Sequence, residues 1–168
     1  DTARIAIQSA LTGHLVLSSL HGTDAVAALH RLLDMGIEAF LVASAIVGVV
    51  SQRLLRKTCE NCKEPYTPGA EELAVFRQHS GGSDKTVFYH GKGCSYCSGT
   101  GYRERIGVYE LLRITPEVRR LIVGWATTEE LRRLAVAQGM RTMLREAMQM
   151  VEDDVTTIPE VVRTLFAH

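Results

Sequence analysis

Four cysteines fall in two matched pairs, Cys59-Glu60-Asn61-Cys62 and Cys94-Ser95-Tyr96-Cys97. A C-x-x-C turn aims two thiolates at one cation, and two such turns complete the tetrahedral tetrathiolate site of structural zinc. Turn-forming residues surround both pairs. Lys63 to Pro68 follow the first, Gly91-Lys92-Gly93 precede the second, and Ser98-Gly99-Thr100-Gly101 lead the chain away. Three other readings compete: disulfides, a redox pair and four plain core cysteines. Disulfides suit an exported chain, and nothing here resembles a secretory signal. A redox site needs one C-x-x-C at a helix start, not two matched ones in loops. With Cys59, Cys62, Cys94 and Cys97 filling all four positions, a zinc ion would be structural and would leave no place for substrate. Its binding, worth ~10–16 kcal/mol, would be folding energy for a segment with little core of its own.

His14 and His21 bracket the apolar run Leu15-Val16-Leu17 to Leu20. In a straight strand, seven steps of about 3.3 Å set the two rings roughly 23 Å apart, too far to share one small ligand. Ligands of open α/β sheets gather beyond the carboxyl ends of the strands, which is where His21 lies. Gly22, Thr23 and Asp24 follow it, and a helix N-terminus there can accept phosphate oxygens. The plainer reading is an exposed or structural histidine. No G-x-x-x-x-G-K-[ST] phosphate loop exists, since Gly91-Lys92 is followed by Gly93 and Thr86 stands where the first glycine belongs. No strand ends in an acidic pair suited to magnesium, and there is no G-x-S-x-G elbow.

These residues need elements to hold them. Thr2 to Leu11 reads as an amphipathic helix with Ile5, Ala6 and Ser9 or Ala10 on one side, ended by Gly13. Leu15 to Leu20 reads as a strand covered on both faces. Asp24 is the predicted N-cap of a helix burying Ala25, Ala28, Leu29, Leu32 and Leu33, with Gly36 as its stop. A second apolar helix runs through Phe40, Leu41, Ser44, Ile46 and Val47, and Ser51 to Lys57 continue as a basic strand or helix end. A short helix is expected near Ala70 to Arg77, and Ile106 to Ile114 reads as a returning strand. Thr115-Pro116 places proline in a first helical turn. Thr127 with Glu130, and Thr157 with Glu160, match the S/T-x-x-E capping box. Met143, Leu144, Ala147, Met148 and Val151 recur at helical spacing; they read as core, with an adaptable binding groove as the alternative.

Composition sets the outer bounds. The 168 residues carry 19 Lys+Arg against 19 Asp+Glu, and 46% are hydrophobic. That is ordinary globular make-up, and the zero net charge argues against a general nucleic-acid binder. The longest apolar stretch, Ala39 to Val50, falls short of the ~20 residues that a membrane span needs. An Ala-rich amphipathic segment beginning at Asp1 reads as a piece of a longer protein.

Taken together, the segments resemble one family, the secretion ATPases that drive type II secretion and type IV pilus assembly. The resemblance is carried by Asp1-Thr2-Ala3 and by Thr12-Gly13-His14-Leu15-Val16-Leu17-Ser18-Ser19-Leu20-His21, which is similar to the family's histidine box. It continues through Arg31-Leu32-Leu33-Asp34-Met35-Gly36, Gln52-Arg53-Leu54-Leu55-Arg56 and the tetracysteine lobe. Gly101-Tyr102-Arg103, Gly107-Val108-Tyr109-Glu110 and Gly139-Met140-Arg141-Thr142-Met143 complete it. It departs after His21, where the family usually has Thr-Asn and this chain has Gly22-Thr23.

The resemblance implies an α/β fold: the C-terminal half of a RecA-like P-loop ATPase domain with an inserted tetracysteine zinc lobe and a helical C-terminal bundle. The implied divisions are 1–57 for the ATPase core, 58–103 for the zinc lobe and 104–168 for the return strand and helical subdomain. In such ATPases the Walker A loop, aspartate box and Walker B glutamate precede the position of Asp1. ATP and Mg²⁺ would then be held in the full-length protein, and the isolated piece is expected to be inactive. Carried over by position, His14 and His21 are the histidine-box pair, with His21 the candidate γ-phosphate sensor. Gln52 and Arg53 match a basic segment near the nucleotide half-site; their plainer reading is a solvated basic strand. The family further implies a cytoplasmic homo-hexamer, peripheral at the inner membrane, docking on platform proteins of a secretion or pilus machine, without nucleic acid and without a membrane span. The alternative reading is a non-enzymatic, zinc-stabilised module that docks on an inner-membrane partner.

Overall fold

Helices and strands mix along the chain in an α/β fold, described for residues Thr2–Phe166 of a computed structural model; Asp1, at the head of the resembling segments, lies outside them. The order is α1 (Thr2–Leu11), α2 (Ala25–Asp34), α3 (Ala39–Ala45), β1 (Gly48–Thr58), β2 (Lys63–Tyr66), α4 (Ala70–His79), β3 (Phe88–Gly91), β4 (Tyr102–Arg113), α5 (Pro116–Val123), α6 (Thr128–Ala137), α7 (Met143–Glu152) and α8 (Ile158–Leu165). β1 pairs with β4, and β2 with β3. Two compact units result, neither a single stretch of chain. The first comprises 1–51 with 110–142, the second 52–109 with 143–168.

In the first unit the helix starts are set by local chemistry. Asp24 is extended, and its Oδ1 accepts the Ala27 N–H at 2.9 Å, which opens α2. Thr115 accepts the Val118 N–H ahead of Pro116 in α5. The capping box of α6 is complete: Thr127 Oγ1 accepts from the Glu130 N–H, and Glu130 Oε2 accepts from the Thr127 N–H at 2.8 Å. The core joins Val26 and Leu29 of α2, Val42 of α3, Leu112 of β4, Val118 and Ile122 of α5 and Leu131 of α6. On α1 the inward side is Ala3 and Ile7, whereas Ile5 is exposed, so the packed face is turned from the one its pattern predicts. α3 stops at Ala45 because Ile46 turns to an extended backbone, which ends the helix before Val47.

The apolar run after His14 is the chief departure. Leu15 to Leu20 form no strand, and their backbone groups have no hydrogen-bond partner among the described residues. A strand exists only where a neighbour pairs with it. Leu15 and Leu17 are 82% and 87% exposed, while Val16 is half-buried. The segment instead borders an apolar groove of about 450 Å³ lined by Ala3, Ala6 and Ile7 of α1, Leu32 of α2, and Ile46 and Val49.

The second unit has its own core. β2 and β3 run antiparallel with Lys63 opposite Gly91 and Tyr66 opposite Phe88. Phe88 meets Phe76 of α4 edge to face at 5.0 Å, and Leu55, Val108, Met148 and Ile158 close around them. Met143, Ala147, Met148 and Val151 form the buried stripe of α7, so the methionines serve as core. At α8 the predicted capping box is only half made. Thr157 accepts the Glu160 N–H, but the Glu160 carboxylate turns away to Arg56 and Arg163. Those charged partners outcompete a backbone N–H for it.

Candidate metal centre and the histidine segment

The two cysteine turns are short 3-10 turns, Glu60–Cys62 and Ser95–Cys97, each entered from an extended cysteine. β2 and β3 lead out of the first and into the second, and their pairing brings the two turns together. Further backbone bonds fasten the approach: Cys59 N–H donates to Gly101 O at 2.9 Å, Lys92 N–H to Cys62 O at 3.0 Å, and Gly99 N–H to Cys94 O at 2.9 Å. The left-handed Ser98 backbone and the following glycines turn the chain back toward β4.

All four sulfurs lie within 4.8 Å of one another. Cys94 and Cys97 are 3.7 Å apart, Cys62 and Cys97 3.8 Å, and Cys59 and Cys94 4.0 Å. Four thiolates at about 2.3 Å from a tetrahedral zinc would be spaced about 3.8 Å apart. A disulfide needs about 2 Å, and all four cysteines are free. The donor set and its spacing therefore fit a tetrathiolate metal ion. Sequence spacing anticipates that these four cysteines gather at one point.

Burial and hydrogen bonding treat the four thiols differently. Burial pushes the Cys62 thiol up to about 12. Burial also works against ionisation at Cys97, but the N–H groups of Cys94 and Gly101 donate to its sulfur at 3.2 and 3.3 Å and hold it down at about 6. Hydrogen bonds from Asn61 and backbone N–H groups lower Cys94. Four thiolates in so small a volume repel one another, and a divalent ion would offset that charge. A guanidinium braces the second turn from outside: Arg103 stacks 3.6 Å over the Tyr96 ring and donates to the Tyr96 carbonyl at 2.7 Å.

The other sequence-predicted residues are not part of this centre. His14 and His21 lie in the first unit at the two ends of the unpaired segment, both exposed; His14 Nδ1 is 3.1 Å from Thr12 Oγ1. Gln52 and Arg53 belong to β1 in the second unit, where Arg53 donates to the Gln52 carbonyl at 3.1 Å. Arg56, three residues on, is committed internally: its Nε and Nη2 donate to Glu160 Oε2 at 2.9 and 2.6 Å, and its carbon lies 4.2 Å over the Tyr102 ring.

The start of α2 differs from its sequence reading. Glu110, 2% exposed, reaches from β4 to accept the Ala25 N–H at 3.0 Å, and Asp24 takes the Ala27 N–H while pairing with Arg132 at 2.9 Å. The donors that a phosphate would use at this helix end are met by the chain's own carboxylates. Sequence reasoning missed Glu110 in this role because nothing local links it to a helix 85 residues away.

The family model described as "Type II/IV secretion system protein" matches residues 1–163. The type IV pilus assembly ATPase PilB of Thermus thermophilus is 39% identical over 161 residues, 96% of this chain and 18% of that protein. The type II secretion system ATPase E of Vibrio cholerae is 38% identical over 97% of this chain and 32% of its own length. The type II secretion system protein E of Dickeya dadantii is 42% identical over 97% of this chain and 32% of that protein. The chain thus spans about a third or less of the relatives it matches. The crystal structure of the pilus retraction motor PilT with bound ADP is similar in fold, with a TM-score of 0.61 at 21% identity, over 96% of this chain and 35% of that one.

Proposed function

Because the chain belongs to the type II/IV secretion system protein family, we propose that it is part of a motor coupling ATP hydrolysis to type II secretion or type IV pilus assembly. The observation that carries the reading is the near-complete span of the match: relatives named for both machines align with 96–97% of this chain, and the family model covers residues 1–163, histidine segment and cysteine lobe included. In the full-length protein it is a portion of a RecA-like ATPase domain, divided as 1–57, 58–103 and 104–168, that works as a homo-hexamer. The hexamer sits at the cytoplasmic face of the inner membrane and engages platform proteins there.

The unpaired segment supports this reading. Leu15 to Leu20 have strand-forming side chains, free backbone groups and an apolar groove alongside. A neighbouring strand supplied by the rest of a longer polypeptide would pair the first and cover the second. His21, at the carboxyl end of that strand, then faces the position of bound nucleotide and acts as γ-phosphate sensor, with His14 at the far end. Gln52 and Arg53 serve the nucleotide half-site. The four cysteines hold a structural zinc ion that fixes the lobe and takes no part in hydrolysis.

The test is made on the full-length protein. His21→Ala is expected to abolish most ATP turnover while leaving hexamer assembly intact, and the 168-residue chain alone is expected to turn over none. Full turnover in the His21→Ala hexamer removes the sensor role. Turnover by the 168 residues alone removes the division of labour.

A further inference from the structure

The four sulfurs receive N–H donors of two kinds. Most are backbone groups whose direction is set by the turns themselves: Gly93 to Cys62 at 3.3 Å, Cys94 to Cys97 at 3.2 Å, Gly101 to Cys97 at 3.3 Å, and the Cys97 and Tyr96 N–H groups to Cys94. One is different. Asn61 Nδ2 donates to Cys94 Sγ at 3.4 Å, the one side-chain N–H on these sulfurs among the described residues. Asn61 lies inside the first cysteine turn, whereas Cys94 opens the second, 33 positions later.

We infer that Asn61 is a positioning residue of the metal centre, clasping the two cysteine turns around one ion by donating its amide to the Cys94 sulfur. Two physical effects combine. Four thiolates around a divalent ion carry a net charge of −2, and an N–H aimed at a sulfur spreads that charge. The bond also ties the first turn to a sulfur of the second, so one turn cannot swing off the metal without breaking it. Release of a tetrathiolate ion starts with one sulfur leaving, and Asn61 holds the sulfur at the seam. Its side chain is exposed, so replacing it empties no core. The inference rests on the zinc reading of the four cysteines.

The experiment uses the 168-residue chain loaded with Zn²⁺ and, separately, with Co²⁺. Zinc transfer to a chromophoric chelator is followed for the parent, Asn61→Ala and Asn61→Asp. Loss of the donor is expected to speed transfer by roughly tenfold in Asn61→Ala. Asn61→Asp keeps the shape, replaces the donor by an acceptor and adds negative charge, so it is expected to release faster still. The Co²⁺ thiolate charge-transfer band keeps its tetrathiolate intensity but moves to lower energy in both variants, because a sulfur with one donor fewer gives up electron density more readily. Parent-like release and an unmoved band in both variants would overturn the role of Asn61. An accelerated Asn61→Asp beside a parent-like Asn61→Ala would overturn it too, since charge alone would then be acting. If the parent chain itself binds neither ion, the failure lies with the zinc reading.

Discussion

Gly91 and Gly101 pass each other backbone to backbone, so close that a Cβ on either would overlap the carbonyl of the other. The crossing is where β3 ends and the chain enters β4, directly beside the cysteine turns. Gly101 also has φ +74, a left-handed conformation that a side chain resists. Gly101→Ala is expected to destabilise the second unit by about 2 kcal/mol or more and to lower the zinc content of purified protein. Calorimetry with metal analysis checks both, and a parent-like melting temperature with full zinc would contradict the account.

Metal removal tests the fit of the four sulfurs. Thiolate is the ligand form, so protons compete with the ion, and affinity falls as pH drops. Zinc is expected to leave progressively under acidification, and chelator at neutral pH should raise amide exchange across Thr58 to Tyr102 while α2 and α5 keep their protection. Exchange followed by mass spectrometry reads this directly. Equal protection of the lobe with and without metal would exclude a structural ion.

Glu160 makes a separate prediction about acid. It is 1% exposed. Burial works against its charge, but donors from Arg163 and Arg56, including the Arg56 backbone N–H, outweigh burial and hold its pKa at about 2. A depressed carboxylate contributes stability above its unfolded pKa, near 4.3, and that contribution drains away as pH falls toward about 2. Glu160→Ala leaves Arg56 without its partner and is expected to cost about 1–3 kcal/mol at neutral pH. The variant's deficit should shrink between about pH 4.5 and pH 2, which denaturation midpoints across that range will show.

Glu110 predicts a local effect. Removing its oxygen leaves the buried Ala25 N–H unpaired at a cost of about 1–3 kcal/mol. Glu110→Ala should speed amide exchange in the first turn of α2, whereas Glu110→Gln retains an acceptor oxygen and should stay near the parent. Equal exchange in the alanine and glutamine variants would show that the cap does not matter.

Legibility in the sequence follows the range of the forces involved. The four cysteines were readable because each turn is local and the geometry of a metal ion demands only proximity. Asp24 and Thr127 were readable as caps because their partners lie three residues away. The Thr157 box half-failed because Arg56, 104 positions from Glu160, took its carboxylate. Leu15 to Leu20 show the limit most clearly: apolar β-formers announce a strand, but a strand is a relation between two segments, and pattern in one says nothing of the other's presence. Asn61 was visible only as a filler between cysteines, since donation to a distant sulfur leaves no mark on local spacing. The roles proposed for His14, His21, Gln52 and Arg53 come from family resemblance, joined for His21 by its place at the carboxyl end of the expected strand.

The trimmed start of α2 carries a consequence for anything bound near His21. An open helix end would draw a phosphate by its own dipole, but here Asp24 and Glu110 already occupy those donors. A polyanion delivered to His21 meets oxygen in place of hydrogen, and must come accompanied by its own counter-ions or be gripped from its far side. In the proposed motor the histidine would then sense such a ligand without being what attracts it.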